Sequence, residues 1–287
     1  MSRIAYVNGR YIRHRDASVP IEDRGYQFAD GCYEVVAVKD GAFVDEKLHI
    51  ARLHRSLDAL EIVAPMSDAA LATVMRELIR RNSVRDGFIY LQITRGTAPR
   101  DFTYPAGVRP SLVMIARRRI LPDPRLLAEG VKIITIPDIR WARPDIKSIA
   151  LLPNAMGKEQ AKRAGAYEAW QVDRVGNVTE GTSSNAWIVT RAGTIVTHPA
   201  NTAILNGVTR LGLIKVMRDN GLRLEERSFS VAEAKGAAEA FLTSSTNFVV
   251  PVVQIDDAVI ANGHPGPVAE KLAELYAAYV GNDAASR

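Results

Sequence analysis

The chain is poor in cysteine and has no long apolar run. Cys32 is the single cysteine among 287 residues, so the chain cannot form an internal disulfide, and a reducing compartment is expected. The longest apolar stretches, such as residues 249–253, fall far short of the roughly 20 residues that span a bilayer. No apolar block of the kind found in secretory signals follows Met1. These absences predict a cytoplasmic protein with no membrane partner.

Patterns for metal ions and nucleic acids are missing as well. The five histidines have no metal-type spacing, since His49 and His54 are five positions apart rather than four. The net charge of +5 comes from scattered basic residues, with only a short arginine run at 117–119. No nucleic-acid motif or aromatic platform accompanies them. The excess of positive charge is instead compatible with small anionic ligands.

Hydrophobic periodicity and turn residues predict an α/β (α+β) protein of two domains. Residues 1–120 are expected to form a small α+β domain. The proline-bearing segment 121–127 is expected to be a linker. Residues 128–287 are expected to form a larger mixed β/α domain. The predicted strands are residues 3–12, 34–44, 87–95, 111–117, 131–137, 167–173, 185–197, 239–243 and 249–255. The predicted helices are residues 47–62, 68–82, 155–164, 208–219 and about 267–280, with a short helix capped by Ser230 and Glu233.

Two polar segments contain the residue types that pyridoxal phosphate (PLP) chemistry requires. Lys147 lies in Asp-Ile-Lys-Ser, and a buried lysine amine can form a Schiff base. Glu180 opens a Gly/Ser/Thr cluster, where a carboxylate suits a pyridinium nitrogen and the small polar residues suit a phosphate. Taken alone, neither segment is specific, since most lysines are solvated surface residues and most Ser/Thr/Gly runs are loops.

Further motifs follow one another in a recognisable order. They are Glu-Asp-Arg-Gly-Tyr-Gln-Phe-Ala-Asp-Gly-Cys-Tyr-Glu at 22–34, His-Ile-Ala-Arg-Leu at 49–53, Thr-Arg-Gly-Thr-Ala-Pro-Arg at 94–100, Asn-Gly-Val-Thr-Arg at 206–210 and Leu-Thr-Ser-Ser-Thr at 242–246. Together with the Lys147 and Glu180 segments, they resemble the fold-type IV PLP enzymes, which include the D-amino-acid and branched-chain aminotransferases. The Pro-Arg at 99–100 and the Asp-Ile-Lys-Ser around Lys147 resemble the D-amino-acid branch.

This resemblance implies PLP as cofactor and assigns a role to each matching residue. Lys147 would be the Schiff-base lysine and the proton carrier at the substrate Cα, and Glu180 would keep the pyridine nitrogen protonated. Leu205 would pack against the cofactor ring. The implied phosphate-binding residues are Arg52, Val208, Thr209, Ser245 and Thr246.

Substrate recognition is where the sequence departs from that family. D-amino-acid aminotransferases hold the substrate carboxylate with a tyrosine, an arginine and a histidine. Tyr33 and Arg100 match the first two, but Phe102 occupies the histidine position and cannot donate a hydrogen bond. Ala150 also replaces an asparagine that is frequent in relatives. The family implies a homodimer in which Arg100 reaches the neighbouring subunit's site.

The resulting hypothesis is a D-amino-acid transaminase that exchanges amino groups between donors such as D-alanine or D-glutamate and 2-oxo acids such as 2-oxoglutarate or pyruvate. An (R)-selective amine transaminase is the main alternative, because Phe102 relaxes the demand for a carboxylate. Branched-chain aminotransferase and aminodeoxychorismate lyase are alternatives on the same scaffold. A binding protein without PLP is an alternative of another class, disfavoured by the presence of Lys147, Glu180 and Arg52.

Overall fold

A computed structural model describes residues 3–120 and 122–285, which form two compact units. Leu121, the first residue of the predicted linker, lies outside the described residues, as do the two residues at each end. The first unit contains residues 3–120 together with Ile146–Ala150. The second unit contains Pro122–Asp145 and the chain from Leu151 onward. The segment with Lys147 therefore belongs to the first unit.

The first unit is a six-stranded antiparallel sheet with helices packed against it. Its strands are β1 (Ile4–Val7), β2 (Arg10–Arg13), β3 (Gly31–Lys39), β4 (Ala42–Phe43), β5 (Gly87–Thr94) and β6 (Ser111–Arg118), in the spatial order β2-β1-β6-β5-β3-β4. Its helices are α1 (Arg24–Phe28), α2 (Glu46–Ala59) and α3 (Asp68–Arg81). Helix α2 packs on β3, and α3 packs on β1 and β6.

Burial follows the period of each element in this unit. Along β5, alternate residues such as Ile89, Leu91 and Ile93 are fully buried, as expected when one face of a sheet meets the core. On α3, Leu71, Met75 and Leu78 are buried at helical spacing. These side chains share one apolar core.

The prediction of a single strand over residues 3–12 was wrong. The structure has two strands, β1 and β2, in a hairpin that turns at Asn8 and Gly9. Both turn residues have positive φ, which is the backbone conformation of the type I′ hairpin favoured by Asn-Gly. The turn signal was present in the sequence and was overlooked because both flanks read as strand.

The second unit is built on a nine-stranded mixed sheet. Its strands are β7 (Val131–Pro137), β8 (Glu168–Val172), β9 (Val178–Gly181), β10 (Asn185–Val189), β11 (Ile195–Thr197), β12 (Leu224–Glu226), β13 (Glu239–Ser244), β14 (Phe248–Ile255) and β15 (Ala258–Val259). The order is β12-β11-β10-β13-β14-β7-β8-β9, with β15 paired to β14. The pairs β7–β8, β7–β14 and β11–β12 are parallel. Its core strands are almost continuously apolar because both faces are covered.

The helices of the second unit cover this sheet. They are α4 (Pro124–Glu129), α5 (Leu152–Arg163), α6 (Val208–Asp219), α7 (Val231–Lys235) and α8 (Pro267–Ala285). The predicted cap of α7 is present, because the Ser230 hydroxyl accepts a hydrogen bond from the Glu233 N–H at 3.1 Å. Within the described ranges, no helix combines the length and the apolarity needed to cross a bilayer. The observed mixture of helices and sheets confirms the predicted fold class.

Candidate active site

Lys147 is attached to the first unit through strand β3. The Tyr33 N–H donates to the Lys147 carbonyl at 3.0 Å, and the Ile149 N–H donates to the Gly31 carbonyl at 3.0 Å. The Lys147 N–H in turn donates to the Ser56 hydroxyl of α2 at 3.2 Å. Backbone contacts on both sides therefore fix the position of this lysine, although it lies outside any regular element.

The Lys147 side chain lies beside Tyr33, the tyrosine predicted to bind substrate. Its Nζ is 4.2 Å from the centroid of the Tyr33 ring, within the range of a cation–π contact. Cys32, the neighbour of Tyr33, is fully buried, and this burial, with a contribution from Glu34, raises the pKa of its thiol to about 12. A protonated thiol is a poor nucleophile, so Cys32 does not compete with Lys147, the predicted Schiff-base residue, for that role.

Arg52, predicted to bind phosphate, is held by a buried carboxylate. Its Nε and Nη2 donate to the two oxygens of Glu34 at 2.8 and 2.7 Å, and His49 Nδ1 contacts the same carboxylate at 2.7 Å. Burial opposes ionisation of Glu34, but Arg52 and His49 outweigh it and hold the Glu34 pKa well below its usual range. Burial lowers the His49 pKa, and Glu34 only partly opposes this. The guanidinium of Arg52 is thus fixed in orientation by an ionised partner.

Arg100 and Phe102, predicted to face the substrate carboxylate, lie on the connection between β5 and β6. The Arg100 guanidinium is 4.8 Å from the Phe28 ring and 5.6 Å from the Phe102 ring. Phe102 is 78% exposed. No hydrogen bond or ring contact among the described residues joins Arg100 to Tyr33. Ala150, the other departure from the family pattern, is exposed at the end of the Lys147 segment.

Glu180, predicted to face the pyridine nitrogen, is buried on β9 and surrounded by donors. Its Oε1 accepts hydrogen bonds from Arg140 Nη1 and from the Leu205 N–H, the latter at 3.0 Å. Its Oε2 accepts one from Asn185 Nδ2 at 3.0 Å. Two predicted residues, Glu180 and Leu205, are therefore in direct contact.

Arg140 also binds a second carboxylate, that of the half-buried Asp138. Arg140 Nη2 donates to Asp138 Oδ2 at 2.6 Å, and the Thr179 hydroxyl donates to the same oxygen at 2.8 Å. Burial raises the Asp138 pKa, but Arg140 and Thr179 more than compensate, so the net shift is downward. Burial likewise opposes the charge on Arg140, yet Asp138 and Glu180 raise its pKa. Two carboxylates, Asp138 and Glu180, thus share the guanidinium of Arg140.

The predicted phosphate residues of the second unit include the first turn of α6. No side chain caps this helix, which starts after Gly207, and Thr209 is buried in its first turn. A Cβ at Gly207 would lie 2.1 Å from Asn185 Oδ1, so only glycine fits there. Asn185 Nδ2 also donates to the Leu205 carbonyl at 2.9 Å. Asn185 therefore joins Glu180 to the residues that start α6.

Ser245 and Thr246 lie in the turn between β13 and β14, and both are half-buried. The Ser244 hydroxyl, which precedes them, accepts a hydrogen bond from the Asn247 N–H at 3.3 Å and closes the turn. Leu205 is also half-buried. Val208 is fully buried, so its backbone N–H, rather than its side chain, is the group that the predicted phosphate site would use.

Sequence reasoning missed the residues that orient the predicted ones. Glu34, His49, Asp138, Arg140 and Asn185 each hydrogen-bond a predicted site residue or its direct partner. Glu34 and His49 lay inside motifs that the sequence displayed, so their position was a usable signal. Arg140 and Asp138 lay in a segment to which no motif was assigned, and only the fold brings them to Glu180.

Comparison with known proteins places the chain in a family. The family described as amino-transferase class IV matches residues 31–255. The chain belongs to the class IV aminotransferases. It is 43% identical to the D-alanine aminotransferase of Bacillus licheniformis over 265 residues, which cover 92% of this chain and 93% of that protein. It is 38% identical to the D-alanine aminotransferase of Listeria monocytogenes over 272 residues, which cover 94% and 93%.

Solved structures show that this class IV aminotransferase has the expected fold. The branched-chain amino acid aminotransferase of Escherichia coli superimposes with a TM-score of 0.91 at 22% identity, covering 98% of this chain and 95% of that one. The branched-chain aminotransferase of Thermoproteus uzoniensis gives a TM-score of 0.86 at 25% identity, with coverage of 98% and 95%. The predicted fold-type IV architecture is thereby confirmed.

Class IV aminotransferases use PLP and act on amino acids and 2-oxo acids, and the polar groups of this chain suit that cofactor. Asp138 and Glu180 share the Arg140 guanidinium, and a site with two carboxylates suits a positively charged ring such as a protonated pyridine. The uncapped start of α6 with its buried Thr209 suits a phosphate group. Both observations are properties of this chain's own fold.

Proposed function

We propose that this aminotransferase moves the amino group between D-amino acids, D-alanine among them, and 2-oxo acids such as pyruvate or 2-oxoglutarate. The observation that carries the proposal is the position of Lys147 beside Tyr33 in a chain 43% identical to a D-alanine aminotransferase. Both halves of a transamination then use the same lysine, since donor and acceptor bind in turn.

Lys147 is proposed to carry PLP and to move the proton. When bound, PLP supplies an aldehyde carbon that condenses with amines and a ring that accepts electrons from the substrate Cα. As a free amine, the Lys147 Nζ would be the base that takes the proton from the substrate Cα and holds it for return. The hydrogen bond from the Tyr33 N–H to the Lys147 carbonyl and the one from the Lys147 N–H to the Ser56 hydroxyl hold the backbone of this lysine in place. Its Nζ therefore moves only by rotation of the side chain.

Glu180 is proposed to hold a proton on the pyridine nitrogen. The hydrogen bonds from Arg140 and Asn185 fix the orientation of its carboxylate, and a carboxylate in this position favours the protonated ring. Leu205 would offer its side chain to one face of that ring. Its N–H donates to Glu180, and this bond fixes the spacing between the two residues.

The phosphate is proposed to be held by charge and by backbone donors. Arg52 contributes a guanidinium oriented by Glu34. Val208 and Thr209 contribute N–H groups at the start of α6, and Thr209 adds a hydroxyl. Ser245 and Thr246 contribute hydroxyls from the β13–β14 turn.

The α-carboxylate of the substrate is proposed to be bound by Tyr33 and Arg100. Phe102 next to Arg100 offers apolar surface where a histidine would offer a donor. We propose further that the enzyme is a homodimer, that Arg100 serves the neighbouring subunit, and that the protein is cytoplasmic. The buried free thiol of Cys32 supports a reducing compartment.

The role of Lys147 is tested by chemical labelling. Borohydride reduction of the holoenzyme followed by peptide mapping should place the pyridoxyl group on Lys147. Lys147→Ala should slow the D-alanine half-reaction by roughly 10²–10⁴-fold, the range for loss of a positioned proton carrier. Lys162→Ala, at an exposed position of α5, is the matched control and should react like the parent. A pyridoxyl label on Lys158 or Lys162 would contradict the assignment.

Exposure of Phe102 beside Arg100 favours one second activity, transamination of (R)-amines that lack a carboxylate. If position 102 faces the carboxylate, Phe102→His should tighten D-alanine binding by about ten- to a hundredfold, since a hydrogen bond to a charged group is worth roughly 1.5–3 kcal/mol. The same change should weaken any reaction with (R)-1-phenylethylamine. An unchanged ratio of the two half-reaction constants would mean that Phe102 does not face the substrate.

The dimer proposal is tested by mixing two impaired proteins and assaying them at a D-alanine concentration well below saturation. Lys147→Ala and Arg100→Ala subunits should restore up to about a quarter of the parent activity when they exchange at equal concentration, because one site in each heterodimer is then intact. If mass measurements demonstrate that the subunits have exchanged and activity still does not recover, Arg100 belongs to the site of its own subunit.

A further inference from the structure

The connection between β5 and β6 carries Arg100 on a stretch with neither helix nor strand. We call residues 96–109 the recognition segment. Arg100 and Phe102 are both exposed on it. A side chain that binds a carboxylate must stay in place to within a fraction of an ångström. Something outside the segment therefore has to fix it.

The two ends of the recognition segment lie against each other. Gly96 has a φ of +109°, and a Cβ there would lie 2.1 Å from the Arg109 carbonyl oxygen. The Gly96 carbonyl accepts a hydrogen bond from the Arg24 N–H at 2.9 Å. These contacts close the base of the segment but leave the part around Arg100 to be fixed by other groups.

A buried carboxylate, Asp30, gathers two arginines next to this base. Arg24 Nε donates to Asp30 Oδ2 at 2.8 Å, and Arg95 Nε donates to the same oxygen at 2.8 Å. Arg95 Nη2 donates to the other oxygen at 3.1 Å. The three side chains are at most 9% exposed, so their mutual orientation is fixed by charge-assisted bonds away from water.

Each of these arginines also contacts the recognition segment. Arg24 Nη1 donates to the backbone carbonyl of Asp101 at 2.6 Å. The Arg95 guanidinium lies 3.5 Å from the centroid of the Tyr104 ring. One contact directly follows Arg100, and the other lies two residues beyond Phe102. Asp30 thus reaches the segment at two points through two rigid guanidinium groups.

Phe28 adds a third point of contact. Its ring is 4.7 Å from the Arg24 guanidinium and 4.8 Å from the Arg100 guanidinium. It is also 5.4 Å from the Phe102 ring. The position of Arg100 is therefore tied to that of Arg24 through one aromatic ring.

We propose that Asp30, through Arg24 and Arg95, is a positioning group for substrate recognition. It orients the recognition segment so that Arg100 meets the α-carboxylate. This inference rests on the proposed role of Arg100, and it assigns a function to three residues that touch neither the substrate nor PLP. It follows that selectivity for carboxylate-bearing donors depends on Asp30, Arg24 and Arg95 as much as on the segment itself.

The test loosens the contacts without removing a buried charge. Arg24→Lys keeps the positive charge beside Asp30. A lysine ammonium lacks the forked guanidinium that donates to Asp30 and to the Asp101 carbonyl at the same time. Tyr104→Leu removes the ring from Arg95 at a position that is 56% exposed. Arg81 provides matched controls, since it binds Glu77 and lies 4.2 Å from the Tyr11 ring, away from the segment. Arg81→Lys and Tyr11→Leu are these controls.

Half-reactions of the holoenzyme give the first measurement. In Arg24→Lys and Tyr104→Leu, the saturation constant for D-alanine should rise about tenfold, because a misplaced Arg100 loses its bond to the carboxylate. The saturation constant for (R)-1-phenylethylamine should change less than about twofold, because this substrate has no carboxylate for Arg100 to bind. The limiting rates should stay close to the parent values. A general structural defect would alter the constants of both substrates.

Trypsin gives a second measurement that does not depend on activity. Loosening the recognition segment should speed cleavage after Arg100 in both test variants and in neither control. Equal cleavage rates and an unchanged D-alanine constant would overturn the positioning role.

The variant Arg100→Gln distinguishes an error in the proposed role of Arg100 from an error in the positioning role of Asp30, Arg24 and Arg95. If Arg100→Gln leaves the D-alanine constant unchanged, the proposed role of Arg100 is wrong, and the positioning role falls with it. If Arg100→Gln raises the constant but Arg24→Lys does not, only the positioning role is wrong. If both are right, adding Arg24→Lys to Arg100→Gln should raise the constant no further.

Discussion

In the first unit Glu34 holds Arg52, and in the second unit Arg140 holds Glu180. The two pairs use the same chemistry, a buried guanidinium bonded to a buried carboxylate. The proposed roles are opposite, since the arginine is assigned to the ligand in the first pair and the carboxylate in the second. Residue type alone therefore does not tell which partner of a buried pair contacts the ligand.

The charges around the two pairs differ in a way that agrees with these roles. Arg52 is bonded to the ionised carboxylate of Glu34, and burial keeps the adjacent His49 neutral near pH 7 by lowering its pKa. Arg140 has two carboxylate partners, Asp138 and Glu180. A balanced pair can present its arginine to a phosphate, and an excess of negative charge can hold a proton on a ring nitrogen.

The largest expected effect comes from removing the shared cation of the second pair. Arg140→Met leaves the buried Glu180 and the half-buried Asp138 without their common partner, so one of them should take up a proton. Loss of one partner of a buried ion pair costs about 3–5 kcal/mol in the free energy of unfolding. Urea unfolding of the apoprotein at neutral pH measures it. The double variant Arg140→Met/Asp138→Asn should recover part of the loss, and a loss below about 1 kcal/mol in Arg140→Met would contradict the charge imbalance.

A smaller effect is expected in the first pair. Glu34→Gln keeps the shape of the side chain and one acceptor for Arg52, so the free energy of unfolding should fall by about 1.5–3 kcal/mol, the value of a hydrogen bond between charged groups. Affinity for PLP should fall as well, because Arg52 is no longer oriented. Equilibrium dialysis measures that affinity. Glu46→Gln, which removes the partially exposed pair with Arg76, is the control and should leave PLP binding unchanged.

The smallest effect concerns the pH dependence of stability. The unfolded chain takes up a proton on His49 below about pH 6.5. The folded chain does not, because burial lowers the His49 pKa, so stability falls as the pH decreases through this window. Between pH 7 and 5.5 the parent should lose about 1 kcal/mol through this group, and His49→Asn should lose less. His54→Asn, at an exposed histidine of the same helix, should follow the parent. Equal slopes in parent and His49→Asn would contradict this account.

Local sequence patterns predicted much of the fold. Strand β7 and helix α6 lie where periodicity placed them, and α7 has its predicted Ser230 cap. Helix α1 was missed because five residues are too few to show a period. Helix α5 starts at Leu152, three residues before the predicted position, because Pro153 is tolerated in its first turn.

The candidate site, like the fold, was predicted only in part from the sequence. Motifs named Lys147, Arg52 and Glu180, and they contained Asp30 and Arg24 without showing what these do. The sequence did not indicate a site residue at Arg140, since arginine followed by tryptophan in a polar stretch is typical of a surface loop. The partner of a buried charge is selected in three dimensions, where 40 residues of separation are no obstacle.

By itself the sequence determined the family and the bounds of elements such as β7 and α6, and it predicted the reacting lysine, because motifs and periodicity are local in the chain. Only the tertiary structure decided which charges neutralise one another. It placed Glu34 on Arg52, Arg140 between Asp138 and Glu180, and Asp30 between Arg24 and Arg95. The reason is physical: the energy of a buried charge depends on the groups within a few ångströms, and strand pairing and helix packing bring those groups together.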